Sequence, residues 1–375
     1  MMRVLMLVPS MLKTGIDDAV ADGTHPTMDY HALAHCLRSG GDSVDMLGFG
    51  ELDACAHPLV RWVRRRAGDD VALAVMGFLR LRGVDAVFTN SESVGIPLAL
   101  LTALLPRRPR HVTIAHRLST GKKRLFFERL KVHRWIDCFL VYADIQRRFA
   151  VERLGVPTDR VAHIDFHADT AFFKPLDGVD RDPALVSAAG LEWRDYPTLI
   201  AAAEALPDLD FRLAAASPWS KHVDETQKRP LPGNVDTRRY GYDALRTLYA
   251  RSNAVAVPLH DNDFQAGITS MLEAMAMGKA VVVTRTEGQT DVVIDGTTGL
   301  YVAPGDAEGW ISALTRLRDD RELRERLGRN ARAWVTANAS LALWADRVAG
   351  ALRGENPRRD PVLVEDAARE VPCRS

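Results

Sequence analysis

The feature that most limits what this chain can fold into is an alternation: short apolar runs rich in β-branched residues, each followed by a longer stretch of helical period, in two successive series. The first series is RVLMLVP, SVDMLGF, VDAVFTN, HVTIAH, DCFLVYA and RVAHIDF; the second is PALVSAAG, FRLAAAS, NVDTRRYG, AVAVPL, AVVVTR and GLYVAP. Stretches such as TMDYHALAHCLRSGG, GIPLALLTALL and GKKRLFFERLKVHRW separate members of the first, and DYPTLIAAAEAL, YDALRTLYARS and ITSMLEAMAMG those of the second. Strands that read as near-continuous apolar runs joined by helices pair in parallel, because the chain must cross back before each new strand and helices then cover both faces. The expected fold is therefore α/β, with two Rossmann-like doubly wound domains at residues 1–172 and 173–353. The second ends in charged helices from about Ala307 to Gly350, and the polar, proline-punctuated residues 354–375 are expected to be a mobile tail. At 375 residues there is room for two cores of ordinary size.

Charge and cysteine usage exclude several function classes. Lys plus Arg and Asp plus Glu both number 49, so no global basic field gathers nucleic acid or an anionic membrane, and partners must be recognised locally. Cys36, Cys55, Cys138 and Cys373 show no C-x-x-C spacing, which argues against a disulfide framework and a zinc site and fits a reducing cytoplasm. The opening MMRVLMLVPSMLKTG is too short an apolar run to span a bilayer and reads as a first buried strand.

Ligands of doubly wound sheets bind beyond the carboxyl ends of the strands, and two facing sheets would place the site in the cleft between them. The stretch LHDNDFQAGITSMLEAMAMGK follows one such strand end. Its helix start, at Gly267, Ile268 and Thr269, offers free N–H groups and the positive end of the helix dipole, with hydroxyls from Thr269 and Ser270, a setting suited to a diphosphate. Glu273, one turn inside among apolar neighbours, has two acceptor oxygens for the two hydroxyl donors of a ribose. Met275 and Met277 read as core packing.

From NAVAVPLH through LEAMAMGKAVVVTRTEGQTDVVIDGTTGLYVAPGD the sequence resembles the donor-binding domain of retaining GT-B glycosyltransferases, family four (glycosyl transferases group 1) type. AGLEWRDYPTLIAAAEAL resembles the family's element carrying a basic residue for the donor diphosphate, here Arg194; IAHRLS resembles the strand and loop carrying an active-site His, here His116. LGVPTDRVAHIDFHADTAFFKP resembles the segment that crosses between domains, so the resemblance runs from about residue 2 to 350. It implies a nucleoside-diphosphate sugar as co-substrate, a hydroxyl-bearing small-molecule or glycan acceptor, transfer with retention, and no cofactor. In that mechanism the leaving diphosphate, held by Arg194 and the helix start, takes the proton of the incoming hydroxyl. The resemblance implies that His116 orients the sugar or stabilises its oxocarbenium-like state.

One departure falls inside the opening stretch. The family pattern has two glutamates separated by seven residues; counting back from Glu273 reaches Gln265, which accepts and donates but carries no charge. The resemblance implies that this position contacts hydroxyls of the transferred sugar. With Gln265 in that place, a nucleotide-sugar epimerase and a non-catalytic nucleotide-sugar-binding partner stand as alternatives. A nicotinamide dehydrogenase is disfavoured because no G-x-G-x-x-G follows the first strand. No Asp-x-Asp element marks a metal site, and metal independence is expected. Lys122, Lys123 and Arg124 read as a solvated helix start, with contact to a phosphate-bearing or acidic acceptor as the alternative, and Trp219 as a residue that packs at its loop or stacks on the donor base. The alanine- and arginine-rich composition points to a GC-rich bacterial genome.

Overall fold

A computed structural model describes residues 1–215 and 230–357; Trp219 and the tail beyond 357 lie outside the described residues. The chain divides by its contacts into two units. The first, of residues 1–17, 28–165 and the C-terminal helix, holds the strands β1 (Arg3–Leu7), β2 (Ser43–Leu47), β3 (Ala86–Thr89), β4 (Arg110–Ile114), β5 (Cys138–Val141) and β6 (Val161–His163). The second, of residues 18–27 and 166–341, holds β7 (Leu185–Ala189), β8 (Asp210–Ala214), β9 (Val235–Thr237), β10 (Ala254–Val257), β11 (Val281–Thr284) and β12 (Leu300–Val302).

Each sheet is six-stranded and all-parallel, as the alternation requires. The central strands AVFT, AVAV and VVVT are buried at every residue, because helices cover both faces. The edge strand β2 instead keeps Ser43 and Asp45 exposed. The strand orders are β2-β1-β3-β4-β5-β6 and β12-β11-β10-β7-β8-β9. In each sheet the order reverses once, between β1 and β3 and between β7 and β10. At such a reversal the two neighbouring connections pass to opposite faces of the sheet, which is where doubly wound folds form a crevice at the strand carboxyl ends.

The domain limits differ from those expected. The first unit runs to Asp165, and the helix Leu341–Arg353 belongs to it and not to the second domain. Trp344, 1 % exposed, lies edge-on to Phe88 and donates from Nε1 to the Tyr142 hydroxyl at 3.1 Å, while Arg347 pairs with Asp165 at 2.9 Å. Sequence order placed that helix with its neighbours; an aromatic side chain that fits the first core overrides chain proximity. In the second unit Met271, Leu272 and Met275 are fully buried against Val255, Val257, Val281 and Val283, with Met277 2 % exposed in the same core. Among the described residues no helix is long and apolar enough to cross a membrane.

Candidate functional site

In the second unit the loops after β7 and β10 flank the reversal of strand order. After β7 the chain turns at Gly190 (φ 96°) and Trp193 (φ 57°), a left-handed conformation that costs a side-chain-bearing residue energy. Asp195 then caps the helix Tyr196–Glu204, accepting from the Thr198 N–H at 3.2 Å. The turn folds the Arg194 guanidinium back over the strand end. Its Nε and Nη2 donate to Ala189 O at 2.9 and 2.7 Å, Nη1 to Glu192 O at 3.0 Å, and Nη2 also to Ser270 Oγ at 2.9 Å. Two glycines make room for it: a Cβ on Gly190 would lie 2.5 Å from Nη2, and one on Gly267 2.9 Å from Nη1. Arg194 is 8 % exposed, and four of the five N–H groups of its guanidinium are committed inside the protein. Three of these bonds hold the guanidinium on its own loop, and the fourth reaches the start of the helix Ile268–Ala276 through Ser270.

That helix, Ile268–Ala276, begins at Gly267 (φ 76°), which supplies no side-chain cap. Glu273 is 8 % exposed and accepts from the Tyr249 hydroxyl at 3.3 Å. Burial pushes its carboxyl up to about 8, against the opposing pull of the Tyr249 hydrogen bond and the Arg194 charge. Thr269 is exposed and Ile268 is buried in the core.

Between β10 and this helix, residues 260–266 are clasped from two sides. The Phe264 ring lies edge-on to Trp193 with centroids 5.6 Å apart, and the His260 N–H donates to Trp193 O at 3.0 Å. On the other side, Gly288 presses against the loop so closely that a Cβ there would lie 2.0 Å from Phe264 O, and Gln289 Nε2 donates to Ala266 O. Within this clasp the Gln265 Oε1 atom is buried without a hydrogen-bond partner; so are Gln289 Oε1 and Thr286 Oγ1. Thr286 and Gln289 were missed in the sequence. The available signal was a polar loop, RTEGQ, directly after VVVT at the carboxyl end of an inner strand, with Thr286 and Gln289 at its second and fifth positions.

In the first unit His116 follows β4 with an exposed side chain, Nε2 3.3 Å from Asn90 O and its ring centroid 5.6 Å from that of Tyr142. Its main chain is held by a carboxylate that sequence reasoning also missed. Glu92, 4 % exposed in the first turn of the helix Glu92–Thr102, accepts the His116 N–H at 2.9 Å and the Arg117 N–H at 3.4 Å, and pairs with Lys123. Lys123 in turn donates to Arg117 O at 2.6 Å. Burial works against the charge on Glu92, but His116 and Lys123 prevail and hold its carboxyl below the usual range. Lys123 is therefore a structural counter-charge and not part of a solvated run; Arg124, by contrast, pairs with Glu128 on the surface at 2.8 Å. Among the described residues no group of three His, Cys, Asp or Glu side chains comes together to hold a metal.

Residues 170–334 match the family described as glycosyl transferases group 1. The chain is 24 % identical, over 81 % of its length, to the alpha-D-kanosaminyltransferase of Streptomyces kanamyceticus, of which it covers 84 %. It is 33 % identical over 34 % of its length to the D-inositol 3-phosphate glycosyltransferase of Corynebacterium kroppenstedtii, where it spans only 25 % of the relative. The crystal structure of Anabaena Alr3699/HepE in complex with UDP superposes with a TM-score of 0.67 at 17 % identity, covering 94 % of this chain and all of that one, a likeness of fold.

Proposed function

Because the chain belongs, through residues 170–334, to the glycosyl transferases group 1 family and has the GT-B fold, we propose that it transfers a sugar from a nucleoside diphosphate to an acceptor hydroxyl, with retention and without a metal ion. The observation that carries this reading is the group of partnerless buried oxygens on the loops after β10 and β11: Gln265 Oε1, Gln289 Oε1 and Thr286 Oγ1. A buried polar atom left without a hydrogen bond costs ~1–3 kcal/mol, so such a group calls for a ligand rich in hydroxyl donors. A sugar is such a ligand. The adjoining helix start, at Gly267, Ile268 and Thr269, suits its diphosphate, and Glu273 suits the ribose of the nucleotide. The UDP held by the HepE structure and the transferase names of the curated relatives support the same donor class.

In this reading Arg194 works chiefly as a positioning residue. Its bond to Ser270 fixes the helix start, and one remaining N–H on Nη1 is available to the leaving group. The leaving diphosphate develops negative charge that the helix start stabilises, and it accepts the proton of the hydroxyl arriving on the same face. His116 orients the sugar, its backbone fastened by Glu92. Cys36, Cys55 and Cys138 form no disulfide among the described residues, which supports a reducing, cytoplasmic setting.

The test begins with thermal unfolding in UDP, GDP, dTDP and ADP and the corresponding nucleotide sugars. The matching nucleotide at about a hundred times its Kd should stabilise by ~2.7 kcal/mol. With the matching donor, transfer across an acceptor panel should continue in EDTA, and the product should keep the donor's anomeric configuration by proton NMR. If no nucleoside diphosphate stabilises the protein, the reading fails; loss of transfer in EDTA removes metal independence, and an inverted product removes retention.

A further inference from the structure

The edge strand β12 carries a tyrosine between two aliphatic residues. Leu300 and Val302 pack into the core on one face of the sheet, and Tyr301 turns to the other, against the core that holds Met271, Leu272 and Met275. Its phenol is half-buried, and the hydroxyl donates to Gln289 O on the turn after β11. Burial pushes that hydroxyl up to about 12, opposed by the Arg285 charge and assisted by Asp291 and Asp295, so it stays protonated and keeps donating at neutral pH. The ring is itself held. The Arg285 guanidinium lies over it, 4.5 Å from the centroid, and pairs with Asp295 at 3.2 Å, while Asp295 accepts the Tyr301 N–H at 3.1 Å.

Gln289 carries the connection onward. Its side chain is fully buried, its main-chain oxygen accepts from Tyr301, and its Nε2 donates to Ala266 O. That donation fixes the orientation of the amide, so the atom left without a partner is Oε1, which can only accept. Ala266 adjoins Gly267, where the helix Ile268–Ala276 begins. A line of hydrogen bonds therefore runs from the edge strand through Gln289 to that helix start. The Gln289 N–H also donates to Thr286 O at 3.0 Å and closes the turn Glu287–Gln289, so Thr286 is placed together with Gln289. A phenylalanine at 301 would fill the same space beneath Arg285; what the hydroxyl adds is the bond to Gln289.

We propose that Tyr301 is a positioning residue for the transferred sugar, pinning the turn Glu287–Gln289 so that Thr286 Oγ1 and Gln289 Oε1 accept from sugar hydroxyls and thereby select the sugar. The inference rests on the donor reading given above. A buried oxygen that must accept a hydrogen bond discriminates against a sugar lacking the matching hydroxyl, because the oxygen is then left unpaired. The diphosphate and ribose are assigned to the helix start and Glu273, so the nucleotide alone does not depend on this turn. Binding of sugar and of nucleotide should accordingly respond differently to Tyr301.

The test is calorimetry of the full chain with the nucleoside diphosphate that stabilises the wild type and with its nucleotide sugars. Y301F keeps the ring and removes only the hydroxyl. Its Kd for the nucleoside diphosphate should equal that of the wild type, whereas its Kd for the matching nucleotide sugar should rise about tenfold. T286V should show the same split with a melting temperature no lower than the wild type, because it removes a buried hydroxyl that has no partner. Equal weakening of both ligands in Y301F would mean that Tyr301 only supports the fold, and would overturn the proposal. So would unchanged affinity for the nucleotide sugar in Y301F or in T286V, with the donor reading left standing. A wild type that binds no nucleoside diphosphate would remove the donor reading and this inference with it.

Discussion

Replacing Glu273 by Gln keeps the shape of the side chain and removes its titration, which turns the burial of this carboxyl into a measurable pH dependence. In the folded protein the carboxyl is pushed up to about 8 from its ordinary 4.5, burial being the main cause. Between those two values the folded state holds a proton that the unfolded chain has released. Stability therefore falls as pH rises, being fully present below about 4.5 and lost through about 8. At about 1.4 kcal/mol per pH unit, the span of 8 − 4.5 corresponds to about 5 kcal/mol for this one group. Other titrating groups are common to both proteins, so the difference between them isolates Glu273. Urea unfolding of wild type and Glu273→Gln from pH 5 to 8.5 should give nearly equal stabilities at the acid end. The variant should gain progressively toward the alkaline end, approaching that difference. A gap between the two that stays constant with pH would refute the argument, because it would mean that Glu273 ionises alike in the folded and unfolded states.

Three further outcomes are expected. Glu92→Ala strands Lys123 and two backbone N–H groups and should cost about 3 kcal/mol or more, as should Lys123→Met; the double variant should cost clearly less than their sum in urea unfolding, and simple additivity would dismiss the pair. Gly288→Ala puts a methyl 2.0 Å from Phe264 O, so the 260–266 loop must shift and calorimetry with the matching nucleotide sugar should show at least a tenfold weaker Kd with the helical circular dichroism unchanged; undiminished affinity would place the clasp outside the donor site. Arg194→Lys should fail to replace Arg194, because one ammonium cannot span Ala189 O, Glu192 O and Ser270 Oγ, and the melting temperature should fall nearly as far as in Arg194→Ala; recovery by Lys would show that charge alone is needed.

The sequence by itself determined the α/β class, both parallel sheets and nearly all their strands, because burial on both faces writes each central strand as an unbroken apolar run such as VVVT. The turn at Gly267 and the lone carboxylate of Glu273 were legible at one helix start, since they lie close together along the chain, whereas Arg194 entered only as what a family resemblance implies. Only the tertiary structure decided which groups these side chains meet. The four bonds that absorb the Arg194 guanidinium, the Tyr249 hydroxyl on Glu273 and the Glu92 carboxylate under the His116 loop join residues 24 or 76 positions apart, or fold a side chain back on its own strand. The return of the helix Leu341–Arg353 to the first unit is of the same kind. Periodicity records which face of an element is buried. It carries no record of the partner, because the strength of a hydrogen bond depends on distance in space and is indifferent to separation along the chain.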